Sequence, residues 1–374
     1  MKTILNTILT GSACAAFLLA QHSSYEIADL GAVGPAGQPF YVTNNGLISG
    51  AATAASGSGY RAVFWYRGIK SELGTFGGPN STAYGVNVRA QVVGWAEASD
   101  TDPYGEDFCG FGSHHVCLPF ISQFGLMIPL PTLGGKSGTA NAVNSKGQAV
   151  GFAENSRLDP ACPAPQKFQF KPVVWRNGTA QELPTVGGDQ AGIAYSINES
   201  GQAVGASGAC TTFNPITLVS LQPLHAVLWD TGTVTDLGNL GGTGHGQGIN
   251  ASAINNQGQV VGVSDLPGDK SFHAFLWTKA TGMQDLGALQ GDVASLAIGI
   301  NDSGDVVGVS LDGSFTPRAF VRLGSVMRDL NGLLPADTPL HLLTACSINA
   351  RGEITGIAVT KNGEVHAYLA IPSE

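Results

Sequence analysis

His273 heads the apolar run "HAFLW", and Asp285 closes the segment that follows it. A histidine beside a carboxylate can be tuned as a general base or oriented as a metal ligand. The same two places recur along the chain as Arg61 with Glu72, Lys171 with Glu182, His225 with Asp236, Arg318 with Asp329 and His366 with Asp29. One copy carries Leu118 and Pro129 instead, losing both charges together. Joint loss is what a structural ion pair predicts, because one charge left alone at a partly buried site is costly. Catalysis or metal binding would need these histidines to converge, whereas the repeat spreads them out. They are therefore read as structural pairs.

Other candidate chemistry is concentrated between residues 100 and 115. "DTDPYGED" offers Asp100, Asp102, Glu106 and Asp107 as oxygen ligands, with Gly105 at the sixth place of a calcium-type loop. Phe111 stands where the bidentate glutamate belongs, so a solvated acidic loop is expected and calcium is the alternative. His114 and His115 are adjacent, and adjacent side chains seldom chelate one ion. Tyr104, Phe168, Phe170 and Phe213 lie in irregular segments, where aromatic rings can meet a ligand, together with those two histidines. Trp65, Trp175, Trp229 and Trp277 instead hold one fixed place in the repeat and are expected to pack between its copies. The chain lacks G-x-S-x-G, a Gly-Lys-Ser/Thr phosphate loop and H-E-x-x-H, and no catalytic residue is assigned.

These residues hang on a repeat. "AINNQGQVVG", ending at Gly262, recurs with endings at Gly94, Gly151, Gly205, Gly308 and Gly356, and a weaker copy ends at Gly50. The period of about 50 residues lies in the range of propeller repeats. Asn at the first turn position and Gly at the fourth, as in Asn255 and Gly258, suit a type I turn joining strand A to strand B, the "QVVG" run. Thr43 and Ala90 break that grammar, predicting altered hairpins in the first two copies. Strand C follows as "HAFLW" and its kin, then a short turn and strand D ending "QDLG". Small residues alternate in strand A, as at Ala251 and Ala253, fitting strands crowded about an axis.

Seven copies of four short strands predict an all-β, seven-bladed β-propeller of antiparallel blades. The last copy stops after "HAYLAIP" without a strand D, and "YEIADLG" near the N-terminus is an unclaimed strand D. Pairing them completes the last blade with the N-terminal strand. The "HAF", "INxxGQVVG" and "DLGxLGG" motifs resemble those of the HAF family of extracellular repeat proteins, over essentially all of residues 23–374. The resemblance implies an exported repeat protein and supplies no catalytic residue.

Composition agrees with a turn-dense β protein: 52 of 374 residues are Gly and 12% are charged. A net charge of -9 with no basic run excludes nucleic acid as a partner. Residues 1–22 read as a cleaved export signal, and no later stretch is long and apolar enough to span a membrane. In an exported chain Cys109 pairs with Cys117 across a short loop, leaving Cys162 for Cys210 and Cys346 as a buried free thiol. The three longest B-to-C loops, in blades two to four, share one face and carry these four cysteines. That face is the expected ligand surface of a monomeric, non-catalytic binding module for an extracellular glycan or protein. The other reading is a secreted propeller enzyme, a glycan hydrolase or lyase, using acids gathered at the axis or in the blade-two loop.

Overall fold

The computed structural model describes residues 24–34, 38–210, 224–244 and 249–373. Seven antiparallel four-stranded sheets are arranged as a β-propeller, and the one helical turn among the described residues is Leu330–Leu333. Strands A to D run outward in chain order, in blade five as Asn250–Ile254, Val260–Asp265, Phe272–Thr278 and Gly282–Asp285. In blade seven, Leu340–Ile348, Ile354–Thr360 and Val365–Pro372 take Tyr25–Ala32 as the outer strand. The ring closes as the two unclaimed fragments predict.

Every inner strand slips register by one residue at the same place, between Ala251 and Ala253 in blade five and between Ala297 and Gly299 in blade six. The bulge bends the strand and drives its carbonyl towards the repeat's last glycine. At Gly262 a Cβ would overlap the Asn250 carbonyl oxygen, so the G of "QVVG" is a close-approach glycine. Small residues in strand A answer crowding at the axis: a Cβ on Gly299 would press on Ser347 of the next inner strand.

Between blades the apolar faces bury Val261, Ala274, Ala297 and Phe320 in one cluster and repeat that arrangement around the ring. The tryptophans also bond across the junctions. Trp65, Trp175 and Trp229 donate Nε1–H to the carbonyls of Leu30, Pro131 and Pro184, each at the tail of the preceding blade.

The turn asparagines do more than cap their own turns. Asn87, Asn144, Asn198, Asn255, Asn301 and Asn349 each donate one Nδ2 hydrogen to the carbonyl of the matching residue in the next blade, at 2.8–3.1 Å. The second hydrogen goes to the side chain four residues on, as from Asn255 to Gln259 at 2.7 Å. Oδ1 of Asn255 accepts from Gln257 N and Gln259 N, so all four of its hydrogen-bonding positions are filled. Blade one, with Thr43, reaches blade two by another route, through Asn45 Nδ2 to the Val88 carbonyl at 3.0 Å. The Thr43 hydroxyl accepts from Leu47 N at 2.9 Å, so that hairpin keeps its shape. Ala90 instead takes a positive φ of 58° where the other copies use glycine.

Candidate functional site

The B-to-C loops and blade connections share one face of the propeller; the A-to-B and C-to-D turns share the opposite face. In blade two, strand B runs on to Thr101, strand C starts at His115, and the loop between them folds back on Asp102. Asp102 Oδ1 accepts from Tyr104 N and Glu106 N at 2.8 and 3.1 Å. This turn sends Glu106 into the neighbouring loop, where it accepts from Lys167 N at 2.5 Å and Phe168 N at 2.9 Å. Lys167 Nζ returns a bond to the Tyr104 carbonyl at 2.6 Å. The blade-two and blade-three loops are therefore one stitched unit.

Disulfides Cys109–Cys117 and Cys162–Cys210 fix that unit, the second tying the blade-three loop to blade four. Cys346 is free and buried, and burial pushes its thiol up to about 11, away from reactivity. Asp159 lies beside Cys162 and Cys210, but the two sulfurs are bonded to each other and cannot act as thiolate ligands.

Beneath the loops sit carboxylates that the motif reading missed. Glu97 and Glu154 are fully buried, each three residues past a repeat glycine, and Asp265 occupies the same place in blade five. Glu97 accepts from Asn80 N at 2.8 Å, and Glu154 accepts from Ser137 N at 2.9 Å and Gln166 Nε2 at 2.9 Å. The second glycine of each "GG" connection, Gly78 or Gly135, lies against the acid's own Cβ. Burial, then the charge of Glu106, pushes Glu154 up to about 8, so it holds a proton at neutral pH.

Between blades three and four the same face opens into a polar cavity of about 540 Å³. Its wall is a relay of amides: Asn155 donates to Gln169 at 2.7 Å, Gln169 to Gln190 at 2.9 Å, and Gln190 to the Gly188 carbonyl at 2.7 Å. Lys171 and Glu182 complete it. Lys171 is buried and donates to the Asp189 carbonyl at 3.1 Å. Burial lowers its pKa, with the charges of Glu182 and Asp189 working the other way.

The basic–acidic pairs divide. His225 and Asp236 meet at 2.8 Å, His273 and Asp285 at 2.9 Å, Arg318 and Asp329 at 3.0 Å, and His366 and Asp29 at 2.9 Å. Each aspartate also accepts from a backbone N two residues on, as Asp285 does from Gly287 at 2.7 Å. The two glutamates, one methylene longer, form no such pair. Glu72 accepts instead from Ala55 N at 2.9 Å while Arg61 bonds the Tyr60 and Pro79 carbonyls, and Glu182 lines the cavity with Lys171.

Other expectations need revision. Phe168 and Phe170 are buried, packed on Tyr104 and Phe152 at ring distances of 4.7 and 5.6 Å, so neither offers a face to solvent. Tyr104 is the exposed ring of that set, and Phe213 lies outside the described residues, as do residues 1–22. Among the described residues Asp100, Asp102, Glu106 and Asp107 do not gather around one point. Asp100 is exposed and Asp107 accepts from Gly112 N, while Asp102 and Glu106 spend oxygens on backbone N–H groups. His114 is exposed with Nδ1 3.1 Å from the Gly105 carbonyl, whereas His115 Nδ1 is buried.

No protein-family model matches the chain, and no curated protein does. Among solved structures it resembles the β-propeller domain of the Trilobed protease from Pyrococcus furiosus, with a TM-score of 0.50, 9% identity and 93% of each chain covered. A putative gluconolactonase covers 93% of this chain and 92% of its own at 11% identity and a TM-score of 0.41. For the Aleuria aurantia lectin the figures are 91% and 93% at 10% identity and a TM-score of 0.40. These likenesses concern the fold: the chain is a seven-bladed β-propeller. The Pyrococcus domain is described as having an open velcro topology, whereas here Tyr25–Ala32 pairs with Val365–Pro372.

Proposed function

We propose that this is an exported, monomeric binding module of the HAF-repeat kind that takes a glycan or protein ligand on the face of the blade-two to blade-four loops, with no catalytic step of its own. The observation that carries the reading is the cavity of about 540 Å³ walled by Asn155, Gln169 and Gln190. A polar wall of bonded amides with Gln190 exposed at its end matches the hydroxyls of a saccharide, and the volume lies in the range of ligand pockets. Two disulfides support an oxidising, exported setting.

Glu154 with its neighbour Glu106 is the observation an enzyme reading would start from. Both are buried and bonded to the chain's own donors, so a substrate would first have to lift the stitched loops. Binding without turnover is therefore preferred. Screening the protein against glycans and secreted proteins, with turnover assayed in parallel, tests it. The change Gln169→Ala with Gln190→Ala should weaken the ligand found by about tenfold, as expected for two lost hydrogen bonds. Unchanged affinity would move the site elsewhere, and loss of turnover on Glu154→Gln would favour the enzyme.

A further inference from the structure

The face opposite the cavity is divided by charge and by polarity. Six turns of blades one to three reach it, at residues 43–46, 66–69, 87–91, 123–126, 144–148 and 176–179, and none contains Asp or Glu. Four exposed cations lie in them: Arg67, Arg89, Lys146 and Arg176. The matching turns of blades four to six hold Glu199, Asp230, Asp302 and Asp305. These bases are scattered in sequence, and only the ring brings them together, on a protein whose net charge is -9.

The basic sector also exposes apolar side chains at its rim. Phe124 is 93% exposed, Ile69 70% and Leu126 67%, with Tyr66 beside Ile69, and Val88 is exposed nearer the axis. Phe124 has a φ of 52°, at the turn position held by Asn177 in blade three. Asn tolerates that left-handed conformation, whereas Phe adopts it at a cost in strain. Here the strain secures no packing, since the ring is in water. Arg89 bonds the Ser145 carbonyl, Arg176 bonds Gln181 and Arg67 lies over the Tyr66 ring, but among the described residues none of the four cations meets a carboxylate in an ion pair. An aromatic ring held at a strained, protruding tip beside them calls for something outside the chain.

We infer that this sector docks on an anionic lipid surface, with Phe124 and Leu126 entering the interface and Arg67, Arg89, Lys146 and Arg176 meeting the headgroups. Charge complementarity favours this occupant: an acidic protein presents to it a basic, apolar-tipped sector, whose one acidic intrusion is Glu199 of blade four, bonded to Ser145 N. Docked so, the protein would turn its amide-walled cavity away from the membrane.

The test is sedimentation of the full chain with vesicles of phosphatidylglycerol and phosphatidylcholine, against vesicles of phosphatidylcholine alone. Retention is expected on the anionic vesicles only, and it should weaken as salt is raised. Arg67→Glu with Arg89→Glu and Arg176→Glu should lower partitioning by at least roughly tenfold, given the worth of each cation near such a surface. Phe124→Ser with Leu126→Ser should lower it comparably, and Lys279→Glu, on the acidic side, should leave it unchanged. All these positions are exposed turns, so a melting temperature near that of the parent verifies the fold. Absence of retention, or retention indifferent to both sets of changes, overturns the docking surface. Neither result touches the ligand reading of the opposite face.

Discussion

Asn349 donates its Nδ2 hydrogen to the Thr43 carbonyl oxygen at 3.0 Å, joining the last blade to the first by the bond that joins blades two through seven in succession. With Asn45 bonded to Val88, the circuit is complete. Each turn asparagine is buried and fully satisfied, so truncation removes a link between blades and takes from two turn N–H groups their side-chain acceptor, as Ser200 N and Gln202 N would lose that of Asn198. Asn198→Ala should cost about 2–4 kcal/mol in urea unfolding. Asn45→Ala, which removes the exposed bond to Val88 and the one accepted from the Thr43 hydroxyl, should cost about 1 kcal/mol or less. Equal losses would mean that the buried amides contribute no more than an ordinary turn.

His273 and Asp285 should respond unequally. The pair is partly exposed, and such pairs contribute about 0–1 kcal/mol. Asp285 also holds Gly287 N, a second bond that His273 lacks. Asp285→Ala is therefore expected to cost about 1–2 kcal/mol by denaturant titration and His273→Ala less. The double change should lie near Asp285→Ala alone. A histidine loss as large as the aspartate loss would give the ion pair more weight than its exposure allows.

Stability should fall as pH rises through neutrality. Glu154 keeps its proton in the folded protein up to about 8, while an unfolded glutamic acid loses it near 4.5. Between those values the folded state binds more protons, so raising pH favours unfolding, by up to about 1.4 kcal/mol per unit, and the slope vanishes above the folded pKa. Glu154→Gln should flatten this decline in melts taken from pH 5 to pH 9. A wild-type slope that survives the change would assign it to another group.

Of the two disulfides, Cys162–Cys210 closes the longer loop, with a separation of 48 residues against 8 for Cys109–Cys117. Chain entropy then predicts a loss of about 4 kcal/mol for Cys162→Ser with Cys210→Ser and about 2–3 kcal/mol for the short pair. Thermal melts of the two double variants would check the order. The longer bridge also ties the blade-three loop to blade four, so ligand binding on that face should weaken more in its absence.

Strand order, blade number and closure were legible because the Asn-x-x-Gly turn and its flanking strands are local signals repeated at a fixed period. The partner of Asn198 was not legible, since it lies 57 residues away and nothing near Asn198 specifies a carbonyl in the next blade. Glu97, Glu154 and Asp265 share one repeat position, a signal present in the sequence. It did not reveal burial, which comes from each blade's own GG connection and B-to-C loop closing on the acid, as Asn80 and Ser113 do on Glu97. The expected pairing of Arg61 with Glu72 and Lys171 with Glu182 missed because carboxylate reach, rather than charge, decides which neighbour is bonded. The cavity wall was likewise hidden, since Asn155, Gln169 and Gln190 come from three separate segments that read as ordinary polar loop.

The seam in blade seven also sets an order of events. Tyr25 pairs with Pro372, so the first strand of the propeller must wait for the last before it has a neighbour. Six blades can form from contiguous hairpins, but the seventh requires a contact spanning almost the whole chain, the slowest kind to find. Contact order thus places ring closure late in folding. Until it happens, Tyr25–Ala32 is an unpaired edge open to a strand from another copy, and the partly folded chain is most prone to exchange or aggregation at that seam.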